Sequence, residues 1–192
     1  MEPITEVMEL FRHQRAVRAW SDRPVSDEVL RQVLQAAIHA PSGSNTQPWR
    51  FIVVRNQQIK DAVSDEYEAA QAGNSDGAAP RRPSGTGALS RAPVLIVPCV
   101  QVPGRTGRAG FQTGASIYPA CQNLMLAARA LGLGTAMTTS HRVRREQVHA
   151  ILRIPEGFDS AAIIPLGWPD RAYGPNRRAA LDEVVIHDRW PE

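Results

Sequence analysis

Hydrophobic and polar positions follow two periods along this chain. Ile4, Val7, Met8 and Phe11 recur at helical spacing and predict a short amphipathic helix at the start. Pro24 breaks the chain. Ser26 then stands as an N-cap, with Asp27 and Glu28 in the first turn, where the helix dipole favours acids. Val29, Leu30, Val33, Leu34, Ala37 and Ile38 make one apolar stripe, ended by Pro41. A polar loop, Pro41 to Pro48, leads into Trp49 to Arg55, whose β-branched residues predict a strand. Asp61 to Ala72 reads as a helix and Val94 to Val100 as a second strand. Thr113 to Leu131 carries the strongest helical stripe: Ile117, Ala120, Cys121, Leu124, Met125, Ala128 and Leu131 share a face, and Gly132 stops it in the C′ role. Thr135 to Thr139 is a short extended segment, Arg144 to Leu152 a helix ended by Pro155, and Ser160 to Gly167 a buried strand.

Three stretches lack such a pattern. Gly73 to Arg91 has four Gly, two Pro and no aromatic residue, which predicts a mobile surface loop. Gln101 to Gly110 is a second Gly/Pro-rich loop. Trp168 to Glu192 is long and polar with little core of its own, and predicts an arm lying across another surface, such as a second subunit. There is no internal repeat, and residues 1–192 read as a single domain.

Composition narrows the classes. The 192 residues, 43% hydrophobic and 21% charged, suit one globular domain, and with only 11 aromatics its core is aliphatic. A net charge of 22 − 19 = +3 is too small for a nucleic-acid footprint. Of the 22 basic residues 21 are Arg, with Lys60 the only lysine, and guanidinium forks suit phosphate oxygens. Met1 to Leu10 carries three Glu and no basic residue, unlike a signal or transit peptide. The longest apolar run, Ala92 to Val100, contains Pro93 and Pro98 and falls short of the roughly 20 residues a bilayer needs. Cys99 and Cys121 form no C-x-x-C pair, so free buried thiols in a reducing cytoplasm are expected.

The segment Pro41-Ser42-Gly43-Ser44-Asn45-Thr46-Gln47-Pro48-Trp49 concentrates hydroxyls, amides and backbone N–H groups, with Gly43 open to close approach. It suits recognition of a flat heterocycle rich in acceptors; it also suits a well-hydrogen-bonded turn before a strand. Other motifs are weak. Gly132-Leu133-Gly134 begins like G-x-G-x-x-G, but Met137 holds the third Gly position and an extended segment follows. The histidines at 13, 39, 141, 149 and 187 lack metal-ligand spacing, and no G-x-S-x-G elbow exists. Arg142, Arg144 and Arg145 read as the exposed side of a helix, with phosphate recognition of a nicotinamide cofactor as a lesser reading.

The 41–49 segment resembles the P-S-x-x-N-x-Q-P-W loop of the FMN-dependent nitroreductase family. His13 to Trp20 (HQRAVRAW) resembles that family's R-R-S-x-R-x-F motif, Gly114 to Thr139 its central helix and G-L-G-T turn, and Ile164-Pro165-Leu166-Gly167 its last core strand. Arg177-Arg178 with Leu181 to Val184 resembles its R-x-P-L-E-E-V tail. Gln14, Ala16 and Ala180 depart from the family's Arg, Ser and Pro.

The resemblance implies an α+β nitroreductase-like fold: a central, mostly antiparallel sheet flanked by helices, with a C-terminal arm (168–192) reaching onto a partner subunit. It implies a homodimer with FMN at the interface. Gln14, Arg15, Ala16 and Arg18 would form the first part of the FMN site, Arg15 holding the phosphate with Arg178 and Arg177, and Arg18 facing N1 and O2 of the ring. Pro41, Ser42, Gly43 and Asn45 would come from the other subunit. Met137, Thr138 and Thr139 would lie along the ring, with a backbone N–H near N5. The implied chemistry is hydride transfer from NAD(P)H through flavin N5 to an electron-poor acceptor such as a nitroaromatic or quinone, ping-pong, with no catalytic side chain, no metal, no nucleic acid and no membrane, in the cytoplasm. The 73–91 loop would border the acceptor pocket. The rivals are O2-using flavin or heterocycle chemistry, FMN sequestration or sensing without turnover, and, remotely, an Arg-rich nucleic-acid binder.

Overall fold

The computed structural model describes residues 1–73, 88–102 and 110–190. Most of the loop expected over 73–91 (74–87), and most of that over 101–110 (103–109), lie outside the described residues.

The helices are α1 (Val7–His13), α2 (Asp27–Ile38), α3 (Gln57–Gly73), α4 (Ala88–Arg91), α5 (Phe111–Ala130) and α6 (Arg145–Leu152). The strands are β1 (Trp49–Val54), β2 (Val94–Gln101), β3 (Gly134–Thr135), β4 (Phe158–Ser160) and β5 (Ile164–Gly167). Ser26 caps α2, its hydroxyl accepting from the Val29 N–H. Asn56 caps α3, accepting from the Ile59 N–H at 3.1 Å, so α3 begins four residues before the expected Asp61. Gly132, at φ +88°, ends α5 in a Schellman turn: its N–H reaches Arg129 O, and Leu133 N–H reaches Ala128 O at 2.8 Å. Ala88–Arg91 is helical, which corrects the C-terminal end of the expected 73–91 loop. Its reason is tertiary: Leu89 is buried in the core cluster that contains Val63 and Tyr67 of α3.

The sheet runs in the order β1-β2-β5-β3, with β4 also pairing β2, and every ladder is antiparallel. The single strand expected over Ser160 to Gly167 is interrupted. Cys99 faces Ser160 while Ile96 faces Ile164, so three steps on β2 oppose four on the other side. This is a bulge, and within it the Ala161 N–H donates to Pro98 O at 2.8 Å.

Both faces of β2 are buried, which is why its sequence is apolar throughout rather than alternating. Val94, Ile96 and Val100 share one core cluster with residues of α2 and α5. Leu95, Val97 and Cys99 share the other with Val63 and Tyr67 of α3, and Ile151 and Leu152 of α6 pack against it. Helix α1 buries none of its residues; its Val7, Met8 and Phe11 are exposed in the single chain. Residues 177–190 are also exposed, with Leu181 at 71% and Trp190 at 80%. Among the described residues no helix is long and apolar enough to cross a membrane.

Candidate functional site

The loop after α2 folds on its own backbone. Asn45 N–H donates to Ser42 O, Thr46 N–H and hydroxyl donate to Gly43 O, and Gln47 N–H donates to the Ser42 hydroxyl at 3.0 Å. Ser44, Asn45 and Gln47 take φ of 49°, 54° and 49°, a region that costs L residues about 1 kcal/mol or more each. Gly43 is not left-handed, and a Cβ there would meet nothing within 4 Å. Its own chain therefore does not demand a glycine at 43. The Asn45 side chain is exposed and donates to no described residue.

The 14–18 segment is drawn against β3. Ala16 forms a parallel bridge with Thr135, and Val17 N–H donates to Thr135 O at 2.8 Å. Gly134 permits this approach, since a Cβ there would lie 2.7 Å from Val17 Cβ. Val17 is buried, while Arg15, Ala16 and Arg18 stay exposed. Beyond β3, Thr138 exchanges both backbone hydrogen bonds with Ile163, at 3.0 and 2.9 Å. Its N–H is therefore committed to the fold. The Thr138 hydroxyl lies 3.4 Å from the Tyr67 hydroxyl, to which the Gln71 amide donates. Met137 and Thr139 are exposed on either side.

The tail returns to the same place. Asn176 N–H donates to Arg12 O at 2.7 Å, and its side-chain amide donates to Phe11 O and Gln14 O at 2.8 and 3.0 Å. Arg15 Nη1 donates to Gly174 O at 3.4 Å. The guanidinium groups of Arg15 and Arg171 lie 5.8 and 5.3 Å from the centre of the Tyr173 ring. Arg177 and Arg178 are exposed, Arg178 donating to Arg177 O. None of Arg15, Arg18, Arg171, Arg177 and Arg178 forms an ion pair with a described carboxylate, although Arg12, Arg55 and Arg144 all do. Gln14 is uncharged and so offers no substitute for a guanidinium, and its amide donates to Met125 Sδ at 3.7 Å.

Within one chain, residues 14–18 contact both Thr135 and the tail. The Pro41–Asn45 segment is attached elsewhere: Gly43 N–H donates to the Ser116 hydroxyl at 3.4 Å. Ser116 and Met125 are nine residues apart on α5, about 13 Å along the helix axis at 1.5 Å per residue. Sequence reasoning missed Ser116, Tyr67, Gln71, Arg171 and Tyr173. No local pattern marks the first three; Arg171 and Tyr173 form an R-x-Y pair within the polar tail.

Arg142 and Arg145 correct the expectation of a solvated helix face. Asp159 of β4 is fully buried, and it accepts from Arg142 Nη2 at 3.1 Å and Arg145 Nε at 2.7 Å. A buried carboxylate requires such compensation, so the two guanidiniums turn inward. Arg144 pairs with Glu66 at 2.8 Å. Next to Asp159, the Ser160 hydroxyl lies 3.0 Å from both His141 Nε2 and His149 Nε2. Burial, then the charge of Arg142, pushes the His141 pKa down to about 4. Burial, then Arg145, lowers that of His149. Burial pushes the free thiols Cys99 and Cys121 up to about 12, which makes them poor nucleophiles. Among the described residues no three His, Cys, Asp or Glu gather as a metal site.

An antiparallel sheet covered on both faces by helices, with a polar helix-to-strand loop and unpaired arginines near the first helix and in the tail, defines the nitroreductase-like class of α+β folds. A nitroreductase with bound FMN from Desulfitobacterium hafniense DCB-2 matches it with a TM-score of 0.75 and 26% identity, covering 95% of this chain and 97% of that one. The chain belongs to the nitroreductase family, whose model matches residues 11–168. A Methanothermobacter thermautotrophicus protein named as an NADH dehydrogenase/NAD(P)H nitroreductase is 31% identical over 96% of this chain and 88% of its own length. Mouse iodotyrosine deiodinase 1 is 30% identical over 94% of this chain and 69% of its own.

Proposed function

We propose that this chain is an FMN-dependent oxidoreductase, active as a homodimer, that takes hydride from NAD(P)H and passes reducing equivalents to an electron-poor acceptor by a ping-pong route. The observation that carries this reading is the meeting of residues 14–18, the 134–139 segment and the 171–178 tail, with arginines there that no described acid neutralises. The donor set fits the group: guanidinium forks suit a phosphate dianion, and the bridge at Ala16 and Thr135 leaves Arg15 and Arg18 directed outward, away from the core. Bound FMN would supply a hydride acceptor at N5 and a carrier that serves donor and acceptor in turn.

Arg15, Arg177 and Arg178 would hold the phosphate. Arg18 would face N1 and O2 and favour negative charge there. Met137, Thr138 and Thr139 would lie along the ring; since the Thr138 N–H is committed to Ile163, the bond to N5 would come from a neighbouring N–H. Pro41, Ser42, Gly43 and Asn45 would serve the partner subunit's site. The open direction at Gly43 and the free Asn45 amide support that assignment. The uncovered apolar residues of α1 and of residues 181–190 supply surface for an interface, and obligate dimers bury more than about 2,000 Å² in total.

The relative with bound FMN supports the cofactor, and the name of the archaeal relative supports the reductant. The deiodinase relative adds iodinated phenols to the acceptors worth testing. Titrating apoprotein with FMN and following fluorescence quenching tests the reading; no saturable binding at micromolar FMN overturns it. Anaerobic reduction by NADH or NADPH, followed by a nitroaromatic, a quinone, iodotyrosine or O2, then separates turnover from sequestration and identifies the acceptor.

A further inference from the structure

We propose that Arg171, held in place by Tyr173, is an additional phosphate-binding guanidinium of the flavin site. This inference rests on the FMN reading above and deepens it. The 171–176 segment is docked, not free. Asn176 ties it to the carbonyls of Phe11, Arg12 and Gln14, and Gly174 O accepts from Arg15. The Tyr173 ring is thereby fixed beside Arg15, and Arg171 stacks on the same ring. With guanidinium carbons 5.8 and 5.3 Å from one ring centre, the two charges lie no more than about 11 Å apart.

A tyrosine ring orients a guanidinium but does not neutralise it. Neither guanidinium forms an ion pair with a described carboxylate, and Glu9, on the preceding helix, pairs with Arg12 and His13 instead. Two arginines held on one ring, followed by Arg177 and Arg178, give four guanidiniums none of which forms an ion pair with a described carboxylate. That is the electrostatic signature of an anion site. The placement also answers the gap at position 14. Gln14 spends its amide on Met125, and its carbonyl is one of the groups to which the tail is tied. The charge missing from the first motif is thus restored by the segment that docks onto it.

The test measures dissociation constants for FMN and for riboflavin, a flavin without phosphate, on the full chain by fluorescence quenching. Arg171→Gln is expected to raise the FMN constant about 5- to 10-fold, between the effects of an exposed ion pair and a charge-assisted hydrogen bond. The riboflavin constant is expected to stay within about twofold, because a charge aimed at phosphate does not touch the ring. Tyr173→Leu should act in the same direction, and Tyr173→Phe, which keeps the ring, should restore wild-type binding. An unchanged FMN-to-riboflavin ratio in Arg171→Gln overturns the inference, as does an equal loss of both ligands. If the wild type binds riboflavin as well as FMN, the phosphate is not recognised and the inference falls while the flavin site stands. If it binds neither, the FMN reading itself is what fails.

Discussion

Acid should destabilise this protein well above the pH at which carboxylates protonate, and His141 is the reason. Its ring is fully buried; Nε2 lies 3.0 Å from the Ser160 hydroxyl and Nδ1 has no partner among the described residues. Burial and the adjacent Arg142 make the charged ring unfavourable, so its pKa falls from 6.5 to about 4. The unfolded chain takes up this proton near pH 6.5, the folded chain only near 4. Between those values the unfolded state binds more protons, so stability rises with pH. The contribution is complete above about pH 6.5 and is lost progressively as the pH falls toward 4. At about 1.4 kcal/mol per tenfold change, it amounts to about 3 kcal/mol, a sizeable share of a typical domain's stability. His149, also lowered, adds in the same direction.

The assay is urea unfolding of wild type and His141→Gln at a series of pH values between 7.5 and 4. Glutamine keeps an amide that reaches toward Ser160 but does not titrate. The variant should be the less stable protein at neutral pH and should converge on the wild type as the pH falls. Carboxylates protonate in both proteins, so their effect cancels in the difference. Parallel pH profiles for the two proteins would refute the argument.

Arg145→Ala, which leaves the buried Asp159 with one guanidinium fewer, should cost about 3 kcal/mol by urea unfolding, whereas the exposed Arg178→Ala should keep its stability and weaken FMN about 10-fold or more; equal behaviour of the two contradicts both assignments. Arg18→Ala should lower the flavin potential by roughly 20–60 mV and slow reduction by NAD(P)H, since about 1.4 kcal/mol corresponds to 30 mV for two electrons. An anaerobic titration against a reference dye reads this directly, and an unchanged potential removes Arg18 from the N1 edge. Gly134→Ala should destabilise by about 1–3 kcal/mol because its Cβ would lie 2.7 Å from Val17, while Gly43→Ala meets nothing in its own chain and should show its effect on FMN binding instead. A Gly134→Ala protein with wild-type melting would show that the Val17 contact yields without cost.

Much of this fold was legible because its signals are local. The Ser26 cap and the Gly132 stop each act within a few residues, the serine through its hydroxyl and the glycine through its freedom to take positive φ, and each stands where the sequence predicts. The α5 stripe is a periodicity, so any helix carrying it must bury Ile117, Cys121 and Leu124 together. The loop at 41–49 and the arginines at both ends identified the family through residue order alone.

What escaped the sequence depends on partners distant along the chain. The bulge between Ser160 and Ile164 is a mismatch of register with β2, and a strand does not carry its register alone. Arg142 and Arg145 sit on what reads as a polar face, yet they turn inward because β4 brings a buried carboxylate beneath them. His141 and His149 meet on Ser160, and Arg15 and Arg171 meet at one Tyr173 ring, only after the strands and the tail have docked. Sequence alone therefore determined the elements and the chemical inventory, because caps and hydrophobic periods act between near neighbours. Tertiary structure decided which charges are neutralised, which histidines stay uncharged and which arginines remain free for a ligand, because burial and Coulomb energy depend on neighbours that only the folded chain supplies.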